Sequence, residues 1–273
     1  MIITIGCPIE SRRWCLDWFW GGITNLVLPP ESSVYYTFAL RDQEDKDGTN
    51  FFLQNKKGSL PNIVDLLVMN KGNEWPSSSR PYYSYEYLAR SRNAIMKVAF
   101  EERVSDYLLM IDSDILMEPT GLMKLLELAP SPSGRYCCSA PVRNSPSPDI
   151  FNLLVKKPTG YGYHRRNDDE VVTSPRQAEY GSILHVDLSG ACALIPRGVY
   201  MDGSRYYGDD NNFHANHEND NYVERVTEDV GFSRAIGNNW RVRTDIKTKH
   251  WMDQSKSPLI WDPLDPERIY ESV

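Results

Sequence analysis

The sequence has few cysteines and no long apolar run, and each absence excludes a class of protein. Five of its 273 residues are cysteine, an odd number, and no Cys-x-x-Cys pair occurs. We therefore expect buried free thiols in a reducing compartment rather than a disulfide framework. No apolar run approaches the roughly 18 residues that span a bilayer, and the N-terminal MIITIGCPIE lacks the basic region and apolar core of a signal peptide. These absences predict a soluble cytoplasmic protein without membrane insertion.

An excess of basic charge is also missing. The chain has 30 Lys and Arg against 37 Asp and Glu, a formal net charge of −7. This balance argues against a surface built for nucleic acid, although a local basic groove remains compatible with it. Hydrophobic residues make up 41% and charged residues 25%, as in an ordinary globular protein. The length suits one large α/β domain or two closely fused halves.

The first half of the chain alternates apolar strands with helical patterns. The predicted strands are MIITIGCPI, with a turn at Gly6-Cys7-Pro8, then VYYTFAL, IVDLLVMN and DYLLMI. A helix through RRWCLDWFW, capped by Ser11, and a second through EYLARSRNAIMKVAFEE lie between them. Trp14 and Trp18 share one face of the first helix, a spacing more typical of core than of a ligand platform. The alternation predicts a doubly wound sheet, whose ligands bind beyond the C-terminal ends of the strands.

Two aspartates, Asp112 and Asp114, follow the apolar strand DYLLMI at such an end. If the strand continues through them, residues two apart point to the same side, so both carboxylates would face one ligand. Paired carboxylate oxygens beside a nucleotide favour Mg²⁺ or Mn²⁺ bridging phosphates. The alternative is that these acids cap the next helix, which would begin near Pro119.

A second group of acids lies in TEDVGFSRAIG. Thr227 is predicted to cap a helix whose first turn contains Glu228 and Asp229. Acids in a first turn interact favourably with the helix dipole and need no further function. The same dipole would keep Asp229 ionised, as a general base must be. His250 follows later, after an alternating strand.

Four segments in this order, MIDSD, VDLSGACALIPRGVY, TEDVGFSRAIGNNWRV and KTKH, resemble the GT-A-fold glycosyltransferases. The resemblance is greatest to the large inverting family of polysaccharide-building and bacterial or viral sugar transferases. It implies an α/β GT-A (Rossmann-like) fold with a mixed, mostly parallel central sheet and helices on both faces. It also implies a donor-binding half, residues 1–117, fused in a single domain to an acceptor-binding and catalytic half, residues 118–273. A viral protein of this kind would act in the host cytoplasm.

The resemblance also implies a role for each matched residue. Asp112, Asp114 and His250 would hold Mn²⁺ or Mg²⁺, and Asp229 would be the general base with Glu228 beside it. The residues implied to contact the donor or the transferred sugar are Cys7, Pro8, Glu10, Arg90, Asn93, Asp112, Ser113, Asp187, Ser189, Gly190 and Ala191. Gly231 departs from the pattern, because many relatives carry an acid there.

The implied reaction is an inverting transfer of sugar from a nucleoside-diphosphate donor, UDP-sugar in preference to GDP-sugar, to a hydroxyl of a glycan, a protein or hydroxymethylated viral DNA. A retaining transferase, a nucleotidyltransferase and a non-catalytic sugar-nucleotide-binding module are the alternatives. The cluster His214, His217, Glu218 and Asp220 is interpreted as a flexible acceptor loop rather than a metal site. A basic strip, interpreted as solvated surface, would comprise Lys56, Lys57, residues 164–166, Arg241, Arg243, Lys247 and Lys249.

Overall fold

The computed structural model describes residues 1–41, 45, 47–58, 64–69, 85–129, 131–146, 151–157, 160–163, 175–208, 227–252 and 257–270. The strands in these ranges are β1 Ile2–Ile9, β2 Ser33–Arg41, β3 Val64–Met69, β4 Tyr107–Ile111, β5 Ile115–Met117, β6 Cys137–Ser139, β7 Leu154–Lys157, β8 Gly160–Tyr163, β9 Ile183–Val186, β10 Cys192–Pro196, β11 Trp240–Arg243, β12 Thr248–His250 and β13 Leu259–Trp261. The α-helices are α1 Arg13–Thr24, α2 Thr49–Lys57, α3 Tyr85–Lys97, α4 Gly121–Leu128, α5 Arg197–Met201 and α6 Glu228–Ala235. A π-helical segment, Val98–Glu102, continues α3.

An eight-stranded sheet in the order β3-β2-β1-β4-β10-β6-β11-β9 forms the centre of the molecule. Its first four strands are parallel, with Ile5 opposite Tyr36 on one side and Leu109 on the other. Strands β10 and β9 run antiparallel to their neighbours. The sheet is therefore mixed and mostly parallel, which confirms the predicted fold class.

Strand β4 is apolar throughout because both faces of the sheet are covered. Leu109 and Ile111 pack into one hydrophobic cluster with side chains from α1, α2 and α4. Leu108 and Met110, which point the other way, pack into a second cluster with side chains from α3 and α6. A central parallel strand buried on both faces lacks the polar alternation of a half-exposed strand.

A second, three-stranded sheet in the order β13-β12-β5 lies beside the first. Only three residues separate the end of β4 from the start of its strand β5, so the chain changes sheets in the turn that contains Asp112 and Asp114. Strand β12 pairs with β5 and places His250 opposite Ile115. This pairing brings the predicted motif of Asp112 and Asp114 next to the predicted motif that ends in His250.

Two local predictions near the N-terminus are wrong. Strand β1 continues to Ile9, without a turn at Gly6-Cys7-Pro8, because β2 pairs with it along its whole length. A Cβ at Gly6 would lie 2.4 Å from Ile95 Cγ2, so the glycine allows α3 to pack directly on the strand. Ser11 has a positive φ of 49° and does not cap α1, which begins at Arg13 with Arg12 as N-cap.

All five cysteines are free and buried, as the sequence predicts. Burial raises the pKa of the Cys15, Cys138 and Cys192 thiols to about 12. These thiols are therefore unreactive and pack in the core as apolar side chains. Across the described ranges, no helix combines the length and apolar character needed to cross a membrane.

Candidate active site

The turn between β4 and β5 aims its two acids in different directions. Strand geometry ends at Ile111, so the alternation that would point Asp112 and Asp114 to the same side does not extend through them. Asp112 pairs with Arg92 of α3, and Asp114 pairs with Arg12 at the start of α1. The backbone N–H of Asp112 also donates to the carbonyl of Ala191, at 2.8 Å. The turn therefore connects two distinct groups of side chains.

The first group is Asp114, Arg12 and His250. Arg12 Nη2 lies 3.4 Å from Asp114 Oδ2, and His250 Nε2 lies 4.0 Å from Asp114 Oδ1. Burial raises the pKa of Asp114, while the charges of Arg12 and His250 oppose that shift. His250 Nδ1 lies 2.6 Å from the carbonyl oxygen of Arg143. A carbonyl only accepts, so Nδ1 carries the proton and, in the neutral ring, Nε2 presents its lone pair to Asp114.

Two lone-pair donors facing each other fit a divalent cation. A backbone carbonyl that fixes the tautomer of a ligating histidine is a common feature of metal sites. Carboxylate oxygens suit Mg²⁺ or Mn²⁺, whereas imidazole is more usual with Zn²⁺, Fe²⁺, Cu²⁺ or Ni²⁺. Asp112, the third predicted ligand, pairs with Arg92 instead. Over the ranges that the structure describes, no group of three or more His, Cys, Asp or Glu side chains is arranged to hold an ion. Among these side chains, Asp114 and His250 are the two that could hold a cation, and its other positions would be filled by a ligand's own oxygens or by water.

The second group is centred on Arg92, which the sequence analysis overlooked. Its side chain is 3% exposed, and its Nη2 lies 2.8 Å from Asp112 Oδ1 and 3.6 Å from Glu228 Oε1. Its guanidinium stands 5.4 Å from the ring centroid of Tyr206. Arg92 lies on the same buried face of α3 as Ala89 and Met96. An arginine in line with the apolar residues of a predicted helix is the sequence signal that identifies Arg92.

The two residues predicted on α3 occupy other positions. Arg90 is 47% exposed and lies 3.8 Å from Glu86, one turn earlier on the helix. Asn93 makes two hydrogen bonds with the backbone of Tyr206, donating from Nδ2 to its carbonyl and accepting at Oδ1 from its N–H. Asn93 thereby fixes the chain that supplies the ring beside Arg92.

Helix α6 presents Glu228 and Asp229 from its first turn. Thr227 is the N-cap, as predicted, and its hydroxyl accepts from the N–H of Val230 at 3.3 Å. Burial raises the pKa of Glu228 to about 8, helped by the neighbouring charge of Asp229 and opposed by Arg92. Burial also raises the pKa of Asp229 to about 6, and Arg92 again opposes the shift. The two carboxyls therefore titrate as one interacting pair, which keeps a proton to higher pH than two exposed acids would.

Gly190 lies directly against the carboxylate of Asp229. A Cβ at Gly190 would stand 2.3 Å from Asp229 Oδ2, so only glycine permits this approach. The segment is held by Asn152, whose Nδ2 donates to the carbonyl of Gly190 at 2.6 Å, and by a 2.7 Å hydrogen bond between the hydroxyls of Ser189 and Ser139. Ala191 follows with a positive φ of 62°. Asn152 is a second residue that sequence reasoning missed.

Gly231, where many relatives carry an acid, is explained by packing. A Cβ there would lie 1.9 Å from the carbonyl oxygen of Tyr207. The backbone at Tyr207 therefore passes too close to α6 for any side chain at position 231. The departure from the pattern therefore reflects a backbone contact that this chain makes.

The remaining predicted donor residues lie around the end of β1. Cys7 is fully buried in the core, Pro8 is the residue of β1 opposite Ala39, and Glu10 follows the strand. Ser113 is buried and its hydroxyl interacts with the Cys15 thiol of α1. Burial raises the pKa of the Cys7 thiol, and the charges of Asp112, Arg92 and Asp114 all act on it as well, so this side chain lies close to both groups.

The predicted acceptor features lie only partly in the described ranges. The cluster His214, His217, Glu218 and Asp220 and residues 164–166 fall outside them. Two basic residues of the remaining strip are paired with acids. Arg243 contacts Glu127 and Asp245. Lys247 contacts Asp262. These ion pairs reduce the positive potential that a polyanion would meet, in agreement with the interpretation as ordinary surface.

Comparison with known proteins shows similarity in structure rather than in sequence. No protein-family model and no curated protein matches the chain. Among solved structures, GalNAc-T7 with UDP, GalNAc and Mn²⁺ matches with a TM-score of 0.59 and 12% identity, over 92% of this chain and 44% of that one. S. aureus TarS residues 1–349 with UDP matches at a TM-score of 0.49 and 12% identity, over 90% and 58%. The mannosyltransferase PcManGT from Pyrobaculum calidifontis, with GDP-Man and Mn²⁺, matches at 0.47 and 13%, over 89% and 56%.

The chain thus spans only about half the length of these proteins. At this identity the similarity concerns the fold, and the match to GalNAc-T7 carries it. The mixed sheet order and the helices on both faces agree with that match. The chain therefore has the same α/β fold as GalNAc-T7, the GT-A fold.

Proposed function

We propose that this protein is a metal-dependent, inverting glycosyltransferase that moves a sugar from a nucleoside-diphosphate donor to an acceptor hydroxyl. The observation that carries the proposal is the arrangement around Arg92. This buried cation contacts Asp112, which follows the central strand, and Glu228, which is adjacent to Asp229 in α6. A donor-side acid and an acceptor-side acid are thereby held on one side of the sheet, beyond the end of β4 where this type of fold binds its ligand.

The donor would bind at the group formed by Asp114, Arg12 and His250. The related GalNAc-T7 structure contains UDP and Mn²⁺, which supports a UDP-sugar and Mn²⁺ as the first donor and metal to test. Asp114 and His250 would hold the cation, which when bound neutralises negative charge on the departing diphosphate. Arg12 adds a second positive charge at the same place. Residues 1–117 would supply most of this half and residues 118–273 the acceptor half.

Asp229 would act on the acceptor. It would act as the ionised carboxylate, and burial raises its pKa to about 6, so it would be more basic than an exposed aspartate. It would take the proton of the acceptor hydroxyl as that oxygen attacks the anomeric carbon from the face opposite the diphosphate. A single displacement inverts the configuration of the sugar. Gly190 leaves the space that this carboxylate occupies, because a Cβ at Gly190 would overlap it.

Glu228 would have a different role from its neighbour. Its pKa is raised to about 8, chiefly by burial, and in its protonated form the carboxyl would donate a hydrogen bond. We assign it to orienting the acceptor or the sugar rather than to removing a proton. A glycan or protein hydroxyl is the acceptor that the structure favours, because Arg243 and Lys247 of the predicted basic strip are neutralised by acids.

A donor screen tests the proposal directly. Hydrolysis of UDP-, GDP- and TDP-sugars would be followed with Mn²⁺ or Mg²⁺ for the wild type, Asp114→Asn, Asp229→Asn and, as matched control, the exposed Asp265→Asn. We expect metal-dependent hydrolysis in the wild type and the control, loss in Asp114→Asn, and loss of turnover with donor binding retained in Asp229→Asn. Undiminished hydrolysis in Asp114→Asn would contradict the site, and retention of the donor's anomeric configuration in the product would contradict inversion.

A further inference from the structure

Two tryptophan side chains stack on each other at the surface of the protein. The ring centroids of Trp18 and Trp251 are 5.2 Å apart and their planes are inclined by only 16°. Trp18 lies in α1, whereas Trp251 follows directly after β12, so the pair joins opposite ends of the chain. Trp18 is 50% exposed and Met252, next in the chain after Trp251, is 47% exposed. Stacking has not removed this aromatic surface from water.

Trp18 is not needed for the core, contrary to the interpretation of its spacing. The buried face of α1 consists of Cys15, Leu16, Phe19, Trp20 and Ile23. Trp20 packs against the rings of Tyr36 and Phe38, whereas the ring partner of Trp18 is Trp251. A large, half-exposed aromatic side chain outside the core is a feature of binding surfaces.

The stacked pair is continuous with the proposed donor site. The N–H of Trp251 donates to the carbonyl of Asp114 at 2.9 Å, and Trp251 follows His250 in the chain. Trp14 lies one turn before Trp18 on α1, and the guanidinium of Arg12 stands 5.9 Å from its ring centroid. Arg12 in turn pairs with Asp114. An aromatic surface therefore extends outward from the group that would hold the diphosphate.

We propose that Trp18 and Trp251 form an acceptor subsite that stacks against the C–H face of a pyranose ring, so that the acceptor is a carbohydrate. The inference rests on the proposed function. A pyranose presents a face of C–H bonds edged by hydroxyls, so an indole removes the face from water and leaves the edge solvated. The ion pair of Arg13 and Asp17 on the same helix, 2.6 Å apart and largely exposed, supplies polar groups for that edge.

The rival occupant is the base of the donor nucleotide, and the position of the pair disfavours it. Helix α1 contacts β5, and Trp251 extends β12, so the stacked rings lie towards the three-stranded sheet. In the sheet order, the parallel strands β2 and β3 lie on the opposite side of β1 from β4. A nucleotide in a doubly wound fold lies across the ends of such parallel strands.

Saturation-transfer NMR with the methyl glycosides of glucose, galactose, mannose and N-acetylglucosamine tests the subsite without requiring turnover. We expect at least one of these glycosides to bind the wild type, with saturation concentrated on the protons of one ring face. Trp18→Leu keeps an apolar side chain without a ring and should weaken binding about tenfold, and Trp18→Phe should recover part of it. Phe51→Leu, which changes a 69% exposed ring on α2, is the matched control and should bind as the wild type does.

Three results would overturn the inference. They are binding by Trp18→Leu equal to that of the wild type, absence of binding to every glycoside by the wild type, and a loss of UDP affinity in Trp18→Leu as large as the loss of glycoside affinity. The last would identify the pair as a stacking site for the base. Failure of the proposed function has a separate signature, namely no hydrolysis of any sugar nucleotide by the wild type, whatever the glycosides do. Because Trp18 is half-exposed, the variants should fold, which circular dichroism checks.

Discussion

Replacing Arg92 by methionine tests whether a buried cation holds the site together. The change keeps the apolar stem and removes the charge that lies 2.8 Å from Asp112 Oδ1 and 3.6 Å from Glu228 Oε1. Removing one partner of a buried ion pair costs about 3–5 kcal/mol, because the other charge is left uncompensated. Asp112 is 31% exposed and is partly solvated. We therefore expect the lower end, a decrease of about 3 kcal/mol in the free energy of unfolding at pH 8.

The loss should depend on pH in a defined direction. Arg92 opposes the rise in the pKa of both Glu228 and Asp229, so both pKa values should rise further in Arg92→Met. A carboxyl whose pKa is higher in the folded than in the unfolded state destabilises the fold at high pH. That penalty begins as pH rises above the unfolded pKa, and it disappears below that value, where both states are protonated. The deficit of the variant should therefore be largest near pH 8 and should shrink towards pH 5.

Urea unfolding followed by circular dichroism at pH 5 and pH 8 measures both effects. Arg103→Met is the control, because Arg103 also pairs with a carboxylate, Asp65, but both side chains are partly exposed. A partly solvated pair of this kind should contribute about 1 kcal/mol or less. The reasoning fails if Arg92→Met costs no more than Arg103→Met, or if its cost is the same at both pH values.

Three further predictions concern the acceptor side of the site. Sugar transfer should lose activity as pH falls below about 6, because the pKa of Asp229 is raised to about 6; a pH profile of kcat/KM with its acidic limb near 4 would contradict this. Gly190→Ala should lower kcat about 100-fold or more while leaving UDP affinity within about twofold, because its Cβ would displace the carboxylate. The control Gly21→Ala, whose Cβ meets nothing within 4 Å, should stay fully active. Gly231→Asp should lower the free energy of unfolding by about 3 kcal/mol, measured in urea, because its Cβ would overlap the carbonyl of Tyr207; an equally stable variant would refute that contact.

The central strand and helix α6 were predictable because their signals are local. An unbroken apolar run such as DYLLMI identifies a strand covered on both faces, and β4 is one. A threonine before two acids identifies a helix start, and Thr227 caps α6. Each feature depends on residues within one turn or one strand, so no distant contact was required to identify it.

Arg92 and Asn152 were missed for the opposite reason. Arg90 and Arg92 are two residues apart in one helix, and only the packing of α3 against the sheet makes Arg90 exposed and Arg92 buried. Asn152 lies in a polar, proline-rich part of the sequence without periodicity, and its amide matters because it reaches the carbonyl of Gly190, 38 residues later. The helical spacing of Trp18 favours a place in the core. The structure fills that side of α1 with Cys15 and four other aromatic and aliphatic residues, which the spacing alone does not show.

The sequence by itself determined the alternation of strands and helices, the two pairs of acids and the small residues beside them. These features follow from periodicity, capping and the preference of parallel sheets for apolar strands. Only the tertiary structure decided which acid each cation meets and which surface stays aromatic. The ion pair of Arg92 with Asp112, the facing of His250 and Asp114, and the stacking of Trp18 on Trp251 all join segments distant in the chain. Such contacts form only when helices and strands pack. The chain changes sheets after β4, and this brings α1, α3 and β12 close to the same turn.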